Sequence, residues 1–120
     1  MMKLLIVDDS KILRRAIQQV LEENLLEWRE ASNGQEALEV FESFPAELVT
    51  MDITMPEMDG LECVSAMVQR RPEVRILVIS ALADEETAIE AVERGAQGYV
   101  CKPFTDAELK EAFNELRNRI

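Results

Sequence analysis

Residues 47–60 read ELVTMDITMPEMDG. The opening ELVTM is an apolar run with the length of a buried strand, and it ends on a carboxylate, Asp52. Pro56, Asp59 and Gly60 then mark a turn, and Asp59 needs no role beyond that turn. A carboxylate at the end of a buried strand costs free energy unless something satisfies it. Its partners must therefore come from elsewhere in the chain.

The same pattern recurs on both sides of this stretch. Residues 3–7 (KLLIV) and 75–80 (RILVIS) are further apolar runs, and 98–102 (GYVCK) is a shorter fifth strand. Residues 27–31 (EWREA) read as a weak, polar strand suited to a sheet edge. Helical spacing fills the gaps. Ile12, Leu13, Ala16, Ile17, Val20 and Leu21 recur at that spacing within residues 10–24, and Ala37, Leu38, Phe41 and Phe44 share a face within 33–44. A third helix starts near Gly60, turns Leu61, Val64, Met67 and Val68 inward, and stops before Pro72. The fourth, over 84–94, is expected to bury Ile89 and Val92 and to stop at Gly95. The last opens with the capping-box pair Thr105 and Glu108 and turns Leu109, Ala112, Phe113 and Leu116 inward. Strands separated by amphipathic helices imply right-handed crossovers and an α/β fold, with a parallel five-stranded sheet and helices on both faces. No linker, repeat or low-complexity tract interrupts the 120 residues, so a single domain over 1–120 is expected.

Composition removes several classes of function. A net charge of -11 argues against direct contact with nucleic acid or insertion into an anionic membrane, and suits a cation or a partner with a basic face. No apolar stretch approaches the ~20 residues of a membrane span, and no signal peptide precedes the first strand. Cys63 and Cys101 lie far apart among apolar residues, so both are expected to be buried, reduced thiols of a cytoplasmic protein. The chain has no histidine, which removes the usual general base and most zinc sites.

Asp8 and Asp9 follow the first strand, Asp52 ends the third, Ser80 ends the fourth and Lys102 ends the fifth. In a parallel sheet all of these lie at the carboxyl edge, where open α/β sheets bind ligands. Two unit charges about 4 Å apart repel by roughly 4 kcal/mol at an effective dielectric of about 20, so three carboxylates need a counter-charge. A raised pKa could relieve the repulsion, or Lys102 could neutralise part of it, but Mg²⁺, which prefers carboxylate and carbonyl oxygens at about 2.0–2.1 Å, does both jobs better. A carboxylate beside such a cation can attack phosphorus to give an acyl phosphate, with the Ser80 hydroxyl donating to a phosphoryl oxygen. Taken singly, each residue has an ordinary explanation. Asp8 or Ser10 caps a helix, Ser80 is a strand-end hydroxyl, Lys102 is a solvated lysine, Tyr99 packs at the rim, and the Glu-rich stretch 85–93 is a solvated face. Only their joint placement favours the chemical reading.

The stretches LLIVDDS, VTMDITMPEMDGLE, ILVISA and GAQGYVCKPF resemble, colinearly over nearly the whole chain, the receiver domain of two-component response regulators, of the stand-alone chemotaxis type. The resemblance implies a flavodoxin-like, doubly wound sheet of order 2-1-3-4-5. It implies that Asp52 is the phosphoacceptor, that Asp9, Asp52 and the backbone carbonyl of Thr54 bind Mg²⁺ with Asp8 acting mainly through water, and that Lys102 pairs with the phosphoryl group. Ser80 falls at the family's Ser/Thr switch position and Tyr99 at its aromatic switch position. Ala81 is small where access to the aspartate requires it, and Met55, Pro56 and Gly60 shape the loop after the acceptor. Thr54 and Leu82 flank the hydrolytic water, and the apolar Leu82 is expected to prolong the phosphorylated state. The Lys102–Pro103 bond is expected to be cis.

The implied phosphodonor is a sensor histidine kinase or a small acyl phosphate. The implied output is a downstream protein target or a homodimer, through the face of the fourth helix, fifth strand and fifth helix. With nothing after Ile120 a stand-alone regulator is expected. The alternatives are a receiver cut from a methylesterase or DNA-binding regulator, and a non-phosphorylated interaction module. The last would be expected to lack one of the acids or the lysine. A phosphatase or mutase would carry a second acid two residues after Asp52, where Thr54 stands, and a flavodoxin-type module would not place Asp8 and Asp9 against a phosphate. The nucleotide-binding pattern G-x-x-x-x-G-K-[ST] is absent.

Overall fold

The apolar runs form the five strands of one sheet: β1 (Met2–Val7), β2 (Leu25–Ala31), β3 (Leu48–Asp52), β4 (Arg75–Ser80) and β5 (Gly98–Cys101). All neighbours pair in parallel, in the order β2-β1-β3-β4-β5. The computed structural model describes residues 2–54, 60–81 and 85–118. Between the strands run α1 (Lys11–Leu21), α2 (Gly34–Ser43), α3 (Gly60–Arg70) and α4 (Glu85–Glu93), and α5 (Asp106–Arg117) closes the order. The polar strand β2 sits at one edge, as its composition requires. Among the described residues, no helix is long and apolar enough to cross a membrane.

Successive residues of a strand point to opposite faces, and both faces are covered. Leu4 and Ile6 join Leu48, Leu77 and Ile79 in a layer filled from α1 and α5 by Ile17, Leu21, Leu109, Phe113 and Leu116. Leu5 and Val7 join Val49, Met51, Ile76 and Val78 in the opposite layer, filled from α2, α3 and α4 by Ala37, Phe41, Val64, Met67 and Ala91. Phe113 and Phe41, both fully buried, each contribute about 1.5–3 kcal/mol to their layers. The helices begin where the chain offers caps. Ser10, Asn33 and Thr105 accept from the amides of Leu13, Glu36 and Glu108, and the last forms the full capping box. Gly95, at φ +114, ends α4: its N–H donates to the Val92 carbonyl and that of Ala96 to the Ala91 carbonyl.

Four residues depart from the sequence reading. Ile89 and Val92 were expected inside, yet they are 51% and 59% exposed, and Ala91 is the residue that α4 buries. The cause is the approach of α4 to α3. A Cβ on Gly95 would lie 2.8 Å from Val68 Cγ2, so the end of α4 comes down closely and a small side chain meets the core. Ile12 shares the helical spacing of α1 but is 85% exposed. Five residues at about 100° each turn it roughly 140° from Ile17, while Gln18 takes part in the buried face instead. Cys101 is only half-buried because β5 is an edge strand, whereas Cys63 is buried as expected, and burial pushes its thiol up to about 12.

Thr50 lies in the centre of β3, two residues before Asp52, and its hydroxyl is the one buried side-chain polar atom among the described residues without a hydrogen-bond partner. An unsatisfied buried hydroxyl costs about 1–3 kcal/mol. Thr50→Val is therefore expected to stabilise the protein by about 1 kcal/mol, read as a higher urea midpoint at unchanged slope. A lower midpoint would mean that the hydroxyl is satisfied in solution.

Candidate functional site

β1 and β3 are neighbours, and each delivers a carboxylate to the same edge of the sheet. Asp8 follows Val7 directly, and its N–H donates to the Ala31 carbonyl at 3.1 Å, which continues the β1–β2 pairing one residue past the strand. Its carboxylate accepts from the Ser10 N–H at 2.9 Å and from Lys102 Nζ at 3.0 Å. Ser10, not Asp8, caps α1, through a 3.2 Å bond from the Leu13 N–H. Asp52 closes β3 and is 2% exposed. Its Oδ1 accepts from both the N–H and the hydroxyl of Thr54, at 2.9 and 2.7 Å. Its Oδ2 lies 3.4 Å from Lys102 Nζ.

Lys102 is placed by the end of β5. Its N–H donates to the Ser80 carbonyl at 2.7 Å, and the Lys102–Pro103 bond is cis, as expected. Its ammonium lies between the two buried carboxylates. Asp9 completes the group from the exposed side: one oxygen from each of Asp8, Asp9 and Asp52 lies within 4.8 Å of the others. Three carboxylates and one ammonium sum to −2 when all are ionised. A hard cation with carboxylate donors at about 2.0–2.1 Å fits this donor set, since two ligands on opposite sides of such an ion stand about 4 Å apart.

The close packing of this edge depends on Gly60, the first residue of α3. A Cβ there would lie 2.5 Å from the Asp52 carbonyl oxygen and 2.5 Å from Ile53 Cα. Ser80 is buried at the end of β4, one residue past Ile79, the cross-strand partner of Asp52. Ala81, next to it, is exposed. Tyr99 is half-buried opposite Val78 and packs against the layer that holds α2, α3 and α4. Asp8, Asp9, Asp52, Thr54 and Lys102 are thus brought together, with Ser80 on the adjoining strand and Tyr99 one pleat away. Met55, Pro56, Asp59 and Leu82 lie outside the described residues. Two contacts were not anticipated from the sequence. The Thr54 hydroxyl on Asp52 has its signal in the short spacing Asp52-Ile53-Thr54, since a threonine can hydrogen-bond two residues back. The other comes from Arg14, whose guanidinium reaches the Asp8 carbonyl, and no local motif announces it.

Burial holds the Asp8 carboxyl above its ordinary value, and the charge of Asp52 adds to this, while the Ser10 N–H and Lys102 oppose it. The folded protein keeps this proton to higher pH than the unfolded chain does. The stability so gained is complete below the ordinary value of 3.8 and is lost as pH rises through the raised one. In chelator, Asp8→Asn is therefore expected to melt above the parent at pH 7, with the gap closing as pH falls toward 3.8. A gap that widens on acidification would show that Lys102 more than offsets the burial.

A family model described as the response regulator receiver domain matches residues 4–114. The chemotaxis protein CheY of Bacillus subtilis is 38% identical over 117 residues, which span 97% of this chain and 98% of that protein. The chemotaxis protein CheY4 of Vibrio cholerae superposes with a TM-score of 0.89 at 29% identity, over 97% of this chain and 98% of the other. The response regulator TrrA of Thermotoga maritima, solved in complex with Mg²⁺-BeF, superposes at 0.85 with 33% identity, over 97% and 99%.

Proposed function

This chain belongs to the response regulator receiver domain family of two-component signalling, and from that premise we propose that it is a phosphorylation switch whose acceptor is Asp52. The observation that carries the reading is one ammonium set between two buried carboxylates, with a third carboxylate at the rim. In the proposed reaction a carboxylate oxygen of Asp52 attacks the phosphorus of a phosphohistidine on a sensor kinase, or of a small acyl phosphate. The new O–P bond forms as the bond from phosphorus to the donor breaks, and the electron pair leaves with the donor. Asp9, Asp52 and the Thr54 carbonyl would hold Mg²⁺, with Asp8 acting through water. Mg²⁺ bound there offsets charge on the phosphoryl oxygens.

Lys102 has no other anchor for its ammonium among the described contacts than Asp8 and Asp52, so it is free to follow the charge onto the phosphoryl group. The Ser80 hydroxyl donates to a phosphoryl oxygen, and the small side chain of exposed Ala81 leaves the donor access. Movement of Ser80 toward the phosphoryl group leaves room for Tyr99 to turn inward, which couples the site to the face of α4, β5 and α5. Exposed Ile89 and Val92 supply that face with apolar surface among glutamates, which suits a downstream protein or a second copy of the chain. The likeness to chemotaxis regulators over almost the full length of both chains supports a chemotaxis-type role in the cytoplasm.

Incubation with Mg²⁺ and acetyl phosphate is expected to add one phosphoryl group to the intact mass. Asp52→Asn and chelation should each abolish the gain. An unchanged parent mass, or equal labelling of the Asp52→Asn protein, would contradict the assignment.

A further inference from the structure

The peptide plane joining Asp8 to Asp9 sets the directions in which both acids leave the backbone. The peptide on each side of the Asp8 Cα is held from β2, the preceding one through its N–H and the Asp8–Asp9 one through its carbonyl. The Asp8 N–H donates to the Ala31 carbonyl at 3.1 Å. The Asp8 carbonyl accepts from Arg14 Nη1 at 2.6 Å, and Arg14 Nε donates at 3.0 Å to Glu30, the neighbour of Ala31. Two consecutive residues of β2 therefore grip the Asp8 backbone on both sides, one directly and one through a guanidinium. The Arg14 side chain is only 14% exposed, so this is not a solvated surface arginine. Its own backbone is set by the Ser10 cap, since the Arg14 N–H donates to the Ser10 carbonyl at 2.9 Å.

From this geometry we infer that Arg14 is a positioning residue for the acidic edge: it fixes the Asp8–Asp9 peptide so that both carboxylates present to one cation. The inference rests on the reading of that edge as a Mg²⁺ site. The planar fork of arginine suits the task, because two donors serve two acceptors in one fixed geometry, which a lysine cannot reproduce. Glu30 orients the fork. The Glu30 pair is itself partly exposed, so its stabilising effect is small and its contribution is directional.

Charge and position predict opposite signs. A cation beside a divalent metal site repels the metal, so if Arg14 acted by charge, its removal would tighten Mg²⁺ binding. If it acts by position, removal weakens binding. Residues that hold metal ligands in place typically change affinity about 10–100-fold when mutated. Titration calorimetry with MgCl₂ on the parent, Arg14→Met, Arg14→Lys and Asp9→Asn proteins decides between them. Arg14→Met is expected to weaken Mg²⁺ binding about tenfold. Arg14→Lys, which keeps the charge and the fold but loses the fork, is expected to fall between Arg14→Met and the parent. Unchanged or tighter binding in Arg14→Met, or parent-like binding in Arg14→Lys, overturns the inference. Asp9→Asn separates the two levels. If it loses Mg²⁺ while Arg14→Met keeps it, only the role of Arg14 falls. If it too binds like the parent, the metal site falls and the inference with it.

Discussion

One lysine ammonium stands between two buried carboxylates, 3.0 Å from Asp8 and 3.4 Å from Asp52, and the architecture is arranged around that contact. The two acids are adjacent because β1 and β3 are adjacent, and both point the same way because the strands run parallel. Lys102 comes from β5, with β4 standing between it and β3. Strands are about 4.8 Å apart, so only a long side chain crosses that gap. The bond from the Lys102 N–H to the Ser80 carbonyl fixes where it starts. An arginine would span the distance too, but its fork would lock onto a carboxylate in a fixed geometry. A point charge on a flexible stem can change partners when a phosphoryl group arrives.

The same contact sets the energetic tension of the molecule. Burial favours the neutral form of Asp8, and the neighbouring charge of Asp52 works in the same direction. Lys102 offsets only part of this, so the edge stands out against two apolar layers that are otherwise well filled. Binding sites commonly carry such a local cost, which the rest of the fold must cover. Here the cost also favours a ligand of opposite charge, because uncompensated negative charge that destabilises the metal-free protein is what a bound divalent cation would relieve.

The strands and the residues at their ends were legible because each signal is local. An uninterrupted apolar run that stops at Asp8, Asp52 or Ser80 states both the strand and the edge at which it ends. The strand order was legible only through the resemblance, since periodicity says nothing about which strands are neighbours. The failures have the opposite origin. Ile89 and Val92 share a helical spacing, but spacing does not say which way the helix is turned, and the tight seating of Gly95 against Val68 decided that in favour of Ala91. Cys101 looks like a core residue in sequence but lies on an edge strand. Arg14 is invisible as a site residue because its acceptors, Asp8 just past β1 and Glu30 on β2, are far apart in sequence from each other.

The central claim is that the carboxylate of Asp52, and no other, carries the phosphoryl group. The most direct measurement is chemical. An acyl phosphate is reduced by borohydride to an alcohol, whereas a free carboxylate is not. After treatment with Mg²⁺ and acetyl phosphate, then borohydride, peptide mapping should find homoserine in place of aspartate at Asp52, with Asp8 and Asp9 unchanged. Homoserine in place of Asp8 or Asp9, or intact aspartate at all three positions, would contradict the account.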